Sequence, residues 1–318
     1  MLGSDKLPNT KLLHCCIYKF ICRPGKLIMT IQSIALNLLI GLSAGLMTYL
    51  TASGMSLIIA GMGTINFGQG AFYIVGAYIC YYATSVGIPF IPALFVGLLV
   101  PGLVGGIVEF LLRPLHGKDM TFSLLITMGF SYILCDSLVM IYGYQVRATP
   151  LPTFLKGVFH IPGANIVFPV YYIFAIVFSL AIGAALWAVF NHTKIGMLFR
   201  AIISDRSMVE NLGINVNLLY TLMFIIGTGL GGLAGALNAP IQGISPKAGL
   251  TIFASVMPAL QIGGMGNIKG CLPASIVLGI ITGIAAMVLP VYYNCVASAV
   301  MVVILFFRPQ GLFTPKEV

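Results

Sequence analysis

The stretch from Ile31 to Leu112 contains a single charged residue, Glu109, and this long uncharged run limits the folds open to the chain. A bilayer is crossed by a helix of about 20 apolar residues, so the run must hold several crossings. Lipid offers the backbone no hydrogen-bond partner, and only helices or closed barrels satisfy the backbone there. The alternating strands of a barrel are absent. We therefore predict an all-α fold, a polytopic transmembrane helical bundle.

Composition supports a membrane protein over a soluble one. Hydrophobic residues make up 59% of the chain and charged residues only 7%, whereas soluble domains carry about 25% charged residues. The net charge of +9 comes from bases that lie beside apolar segments, which indicates contact with anionic lipid and excludes a nucleic-acid partner.

Glycine and proline divide the apolar sequence into eight to ten predicted spans. The second segment is too short for a full span and is expected to be broken or tilted. The predicted segments cover residues 31–49, 52–65, 68–85, 90–112, 120–142, 166–191, 218–240, 250–266, 272–289 and 291–307.

Charge distribution predicts the orientation of the chain. Residues 1–29 form a basic tail, residues 30–308 the membrane domain and residues 309–318 a short C-terminal tail. Basic segments favour the cytoplasmic side, which places the loop 113–119 and the interval 192–217 there. Four crossings before that loop make the count even. We therefore predict a multi-pass protein of the inner or plasma membrane with both termini in the cytoplasm.

A glycine-rich string with two amides interrupts the early apolar sequence. Gly63, Asn66, Phe67 and Gln69 lie where a membrane helix would be expected. Broken helices near the bilayer midplane line solute sites in transporters, so these residues are candidates for the translocation pathway. An equally open interpretation is a helix-packing seam with hydrogen-bonded amides.

Two carboxylates lie inside predicted spans. Glu109 is one helical turn from Arg113, which predicts an interfacial ion pair. Asp136 has no local partner, so it bonds to a neighbouring helix, lies near the outer surface or serves transport. The seven cysteines and four histidines form no metal-ligand spacing, and no P-loop string for ATP is present, so we predict no metal, no cofactor and no catalytic residue.

The charged interval between two later spans predicts a docking element. Residues 200–215 can form a short helix that Gly213 closes as a C-terminal cap. Such a helix suits a groove in a soluble partner, although an amphipathic connector on the lipid surface fits the same pattern.

Motifs along the chain resemble those of permeases from high-affinity branched-chain amino acid importers, the Liv type. The motifs lie at residues 63–67, 113–119, 193–205, 212–216, 231–235, 263–266 and 308–312. The resemblance implies a type II-like ABC importer fold, a second related permease, two cytoplasmic ATP-binding subunits and a substrate-binding protein. It also implies that residues 200–215 transmit ATPase closure, through Arg200, Asp205, Arg206, Glu210 and Gly213.

The expected function is therefore a permease subunit, not an enzyme, that moves leucine, isoleucine and valine with energy from separate ATPases. Urea, amides or other amino acids remain alternative solutes. Asp136 and the broken glycine-rich helix leave a self-sufficient channel or ion-coupled carrier as a further alternative.

Overall fold

A computed structural model describes residues 31–115, 120–152, 155–161, 166–290 and 292–313. These residues form helices and one short antiparallel hairpin, which the sequence did not indicate. The elements are α1 (Ile31–Met62), α2 (Gln69–Ser85), α3 (Phe90–Leu112), α4 (Met120–Tyr142), β1 (Val158–Ile161), β2 (Ile166–Pro169), α5 (Val170–His192), α6 (Lys194–Ser204), α7 (Arg206–Asn211), α8 (Val216–Asn238), α9 (Gly249–Gly263), α10 (Ile268–Val288) and α11 (Tyr293–Phe307).

The predicted all-α membrane bundle is confirmed. Within the described residues, six helices are long and apolar enough to span a membrane, namely α1, α3, α4, α5, α8 and α10. The shorter helices α9 and α11 are also apolar. Helix α2 has 17 residues and is buried along most of its length.

Helix α8 lies at the centre of the bundle and packs against α1, α2 and α3. Its glycines allow backbones to touch. A Cβ atom added to Gly54 of α1 would lie 2.3 Å from the Gly227 carbonyl of α8, and one added to Gly76 of α2 would lie 2.1 Å from the Gly232 carbonyl. Small residues provide this close approach in membranes, where apolar side chains gain little from leaving lipid.

The bundle has two distinct ends. One end, named the coupling end after the predicted role of residues 200–215, carries α6, α7 and the short 3-10 turn Arg113–Leu115. The last described residues lie there too, because the Asn267 amide at the start of α10 donates to the Phe313 carbonyl at 2.9 Å. The hairpin end carries β1 and β2 and the segment around Arg147, whose amide donates to the Ile244 carbonyl at 3.3 Å.

Helix α1 corrects the predicted crossings 31–49 and 52–65. It is one continuous helix of 32 residues, about 48 Å long against a hydrocarbon thickness of about 30 Å, so it tilts or extends beyond the bilayer. The boundary predicted between residues 49 and 52 lies inside this helix, where Thr51 and Gly54 are buried. Packing of this stretch against α8 keeps the helix intact.

The single helix also determines the side on which the first described residue lies. Near its start, α1 runs antiparallel to α10, with Gly41 against Gly283 and Gly45 against Gly279. Ile31 therefore lies at the hairpin end, whereas Phe313 lies at the coupling end. The prediction that both termini lie on the cytoplasmic side assumed four crossings before residue 113. That assumption no longer holds, because residues 31–62 form one helix. The basic tail 1–29 lies outside the described residues.

Candidate functional site

The chain turns sharply between α5 and α6 at the coupling end. The Thr193 hydroxyl accepts a hydrogen bond from the Gly196 amide at 3.1 Å and caps α6. A side chain at Gly196 would collide with the carbonyls of Val189 and Phe190, so glycine lets α6 fold back against α5. The Arg200 guanidinium donates to the same Phe190 carbonyl. Arg200 therefore helps to fix the angle at which α6 leaves the bundle.

Asp205 separates α6 from α7, where the sequence predicts one helix across residues 200–215. Its backbone is extended, with φ −153° and ψ 105°, and its carboxylate accepts a hydrogen bond from the Met208 amide at 3.1 Å. The prediction of a single helix is wrong, because the aspartate side chain takes the place of the helical carbonyl and starts a new helix.

Helix α7 carries an ion pair and ends at glycine. Nε of Arg206 donates to Oε1 of Glu210 at 2.8 Å, and this hydrogen bond raises the pKa of the Arg206 guanidinium. The guanidinium carbon lies 5.6 Å from the centre of the Tyr220 ring. Gly213 has φ 75°, a left-handed conformation that favours glycine, and its predicted role as the C-terminal cap is confirmed.

The inner side of α6 and α7 is buried against the membrane helices. Phe199, Ile202 and Val209 share one apolar cluster with residues of α1 and α8, namely Leu57, Val216, Leu219, Tyr220 and Met223. Burial of each such side chain contributes about 1.5–3 kcal/mol. The two short helices are therefore anchored to α1 and α8 and are expected to move with them.

The outer side of α6 and α7 exposes apolar side chains that the sequence did not single out. Met197, Met208 and Leu212 are 60%, 62% and 67% exposed. We call the exposed residues Ile195, Met197, Ile203, Met208 and Leu212 the coupling surface. Exposed apolar patches with a polar rim are typical of protein interaction sites. In the sequence, this surface could have been recognised from the apolar residues that recur within the charged interval 192–217.

The glycine-rich junction between α1 and α2 uses its amides internally. Asn66 accepts a hydrogen bond from the Gly68 amide at 2.9 Å and donates to Gln69 at 3.5 Å. The Gln69 side chain donates to the Gly227 carbonyl at 2.9 Å and to the Thr51 carbonyl at 3.5 Å. These contacts join α1, α2 and α8 at one point.

The four candidate pathway residues therefore differ in access. Asn66 and Gln69 are each only 1% exposed, whereas Gly63 is exposed and Phe67 is half-buried. The Phe67 ring stacks on Phe253 of α9 with centroids 4.4 Å apart. The geometry supports the packing interpretation for the two amides, and a pathway role for this group stays a prediction.

The predicted ion pair between Glu109 and Arg113 is confirmed. The Arg113 Nε lies 3.4 Å from the Glu109 Oε2, and the carboxylate is fully buried. Thr221 of α8 joins the pair, because its hydroxyl donates to Glu109 and accepts from Arg113 at 2.8 Å. No local pattern in the sequence indicates this third partner, which lies more than 100 positions away.

The glycine-rich segment between α9 and α10 is a tight interhelical turn. Gly264 and Gly266 have φ 91° and 81°. The Asn267 side chain accepts from the Gly270 amide at 3.2 Å and caps α10. The turn also holds the C-terminal segment, since the Leu312 amide donates to the Ile262 carbonyl at 2.9 Å.

Comparison with known proteins identifies relatives of this architecture. The model of the family described as branched-chain amino acid transport system, permease component, matches residues 37–305. The high-affinity branched-chain amino acid transport system permease BraD of Pseudomonas aeruginosa is 29% identical over 293 residues, which cover 87% of this chain and 95% of that protein. The corresponding permease LivH of Escherichia coli K12 is 26% identical over 87% of this chain and 94% of its own length.

A solved structure supports the fold. A chain of PsaBC from Streptococcus pneumoniae, solved in complex with Fab, matches with a TM-score of 0.50 and 13% identity, over 85% of this chain and 91% of that chain. At this identity the likeness concerns the arrangement of helices alone.

Proposed function

This chain belongs to the family of branched-chain amino acid transport permease components, and we propose that it moves leucine, isoleucine and valine through the membrane. It is a multi-pass membrane protein and an ABC importer permease. The substrate class is proposed from the names of its relatives, BraD and LivH.

The coupling surface is the observation that supports transport driven by a separate ATPase. A permease driven by separate ATPases needs an element that binds the ATPase on one side and the membrane helices on the other. Helices α6 and α7 have this form, because Phe199 and Val209 are buried against α1 and α8 while Met208 and Leu212 are exposed. A partner's groove would receive the exposed side chains.

The proposed assembly contains several further chains. Two ATP-binding subunits would dock at the coupling end. This end would then face the cytoplasm, with the protein in the inner or plasma membrane. A second related permease would complete the passage, and a substrate-binding protein would deliver the solute at the hairpin end. The chain itself would act as a permease and not as an enzyme.

ATP-dependent uptake of radiolabelled leucine, isoleucine and valine into proteoliposomes tests the proposal. The chain is reconstituted alone or with its candidate ATPases, second permease and binding protein. We expect uptake only with the full set. Uptake by the chain alone would instead identify a channel or carrier, and uptake of urea or amides by the full set would keep the mechanism and replace the substrate.

A charge placed in the coupling surface provides a sharper arm of the same experiment. Leu212→Asp adds a carboxylate to a side chain that is 67% exposed, so folding should be unchanged while binding of the ATPase weakens by about tenfold or more. Lys194→Ala, at the first position of α6, serves as a control outside the coupling surface. Wild-type ATPase binding by Leu212→Asp would contradict the assignment of this surface.

A further inference from the structure

Asp136 lies on the exposed face of α4, inside a membrane-spanning segment. Helix α4 has 23 residues, and Asp136 lies about 9 Å along its axis from the end at Tyr142. Its neighbours on that face are apolar, with Ile133 60% and Met140 88% exposed. Carboxylates at this depth are costly in lipid, and the short aspartate side chain cannot reach the interface as lysine does.

Among the described residues, Asp136 has no ion-pair partner. Helix α4 packs inward through a separate stripe of small side chains, Ser123, Thr127, Ser131 and Cys135, which are all buried. The ion pairs among the described residues, Glu109 with Arg113 and Arg206 with Glu210, do not include Asp136. On the exposed face of the same helix, a Cβ added at Gly129 would meet nothing within 4 Å.

Polar side chains continue onto the helix next to α4. Helix α9 begins beside Cys135, since a Cβ added at Gly249 would lie 3.0 Å from the cysteine sulfur. Two hydroxyl residues of α9, Thr251 and Ser255, are exposed. The Ser255 hydroxyl donates to the Thr251 carbonyl at 2.9 Å, so the ionisable Asp136 is the group that indicates contact with water or solute rather than with lipid tails.

We propose that the exposed face of α4 lines the solute passage and that Asp136 binds the ammonium group of the transported amino acid. This inference rests on the proposed function. The described bases at the hairpin end, Arg147, Lys156 and Lys247, all lie outside the helices, so a second permease of similar sequence would offer no cation from a helix at this depth. The α-ammonium of the solute is the complementary charge, and a carboxylate binds it by charge-assisted hydrogen bonds.

Thiol reactivity in the reconstituted importer tests whether the face is wet. Native cysteines are first replaced, and Asp136→Cys is compared with Leu103→Cys on α3, where the leucine is 62% exposed. We expect a membrane-impermeant thiol reagent to modify Asp136→Cys about tenfold faster or more, because a position lined by water presents the thiolate and a lipid-facing position does not. Equal, slow reaction at both positions would overturn the proposal, and so would reaction in the isolated chain that disappears in every state of the complex.

Transport by charge variants tests the ligand. Asp136→Asn should lower leucine uptake per ATP hydrolysed by roughly tenfold, the effect of losing one modest charge interaction, while Asp136→Glu should retain most of it. Leu103→Ala, which shortens the lipid-facing side chain on α3, should have no effect. Full uptake by Asp136→Asn would refute the ammonium role. If the wild-type importer takes up no leucine, the proposed function fails, yet the thiol comparison still tests whether α4 lines a passage.

Discussion

The amide of Gln69 joins three helices through two backbone carbonyls. Its side chain donates to Gly227 of α8 and to Thr51 of α1. Neither carbonyl meets water, because Gln69 and its surroundings are buried. Both carbonyls also lie within helices, so removal of the Gln69 amide costs two hydrogen bonds of about 0.5–1.5 kcal/mol each. The residue therefore has a structural task that the sequence could only offer as one of two interpretations.

We expect Gln69→Ala to destabilise the detergent-solubilised protein by about 1–3 kcal/mol. The measurement is the free energy of unfolding, or the thermal midpoint. Asn37→Ala is the control, because among the described residues the Asn37 amide donates to the Ser33 carbonyl of its own helix. Unchanged stability together with lost uptake would show that Gln69 acts on the solute and not on packing.

At the scale of single residues, the sequence predicts what depends on near neighbours. The Glu109–Arg113 pair and the cap at Gly213 are separated from their partners by a turn of helix or less, and both are present. The bond from Gln69 to Gly227 spans 158 positions. No local pattern encodes such a distant partner, so the sequence left the roles of the amides open.

At the scale of elements, small residues have two meanings that sequence cannot separate. Within α1, the stretch Thr51 to Gly54 has the composition of a helix break, yet it is buried where Gly54 meets Gly227. Between α6 and α7 the opposite occurred, since Asp205 breaks a segment predicted to be continuous. The first outcome depends on a distant helix, whereas the second followed from the ordinary capping preference of aspartate.

Coupling through α6 depends on its buried anchor, Phe199. The ring is fully buried in a cluster with Leu57 of α1 and Met223 of α8. Phe199→Ala should destabilise the packing by about 3–5 kcal/mol and raise the ATP hydrolysed per leucine transported, because α6 would move independently of the membrane helices. Stability in detergent and the ATP-to-leucine ratio are the measurements.

The exposed neighbour Met208 supplies the matched control for Phe199. Met208→Ala removes a side chain that is 62% exposed, so it should leave stability within about 0.5 kcal/mol of wild type and weaken ATPase binding instead. If Phe199→Ala keeps the wild-type ATP-to-leucine ratio, the anchor does not transmit the movement.

For the whole molecule, the fold class followed from the sequence but the path of the chain did not. Long apolar runs with few charges allow no other solvent than lipid, and the predicted ends of later spans agree closely with α5, α8 and α11. The number of crossings is harder to predict than the fold class. One long helix such as α1 and two short helices can have the same composition. An error of one crossing in residues 31–65 reverses the side assigned to Ile31, the first described residue.

The position of Ile34 distinguishes the two paths. Near the start of the single helix α1, Ile34 lies at the hairpin end, and its side chain is 37% exposed; with two crossings in residues 31–65 it would lie at the coupling end. In a cysteine-free background, Ile34→Cys should therefore react with a membrane-impermeant reagent from the same side as Val86→Cys. Leu212→Cys should react only from the other side, since Leu212 belongs to the coupling surface. Reaction of Ile34→Cys from the same side as Leu212→Cys would contradict the single helix and restore an even number of crossings. The side from which a cysteine reacts depends on how often the chain has crossed the bilayer and not on local reactivity.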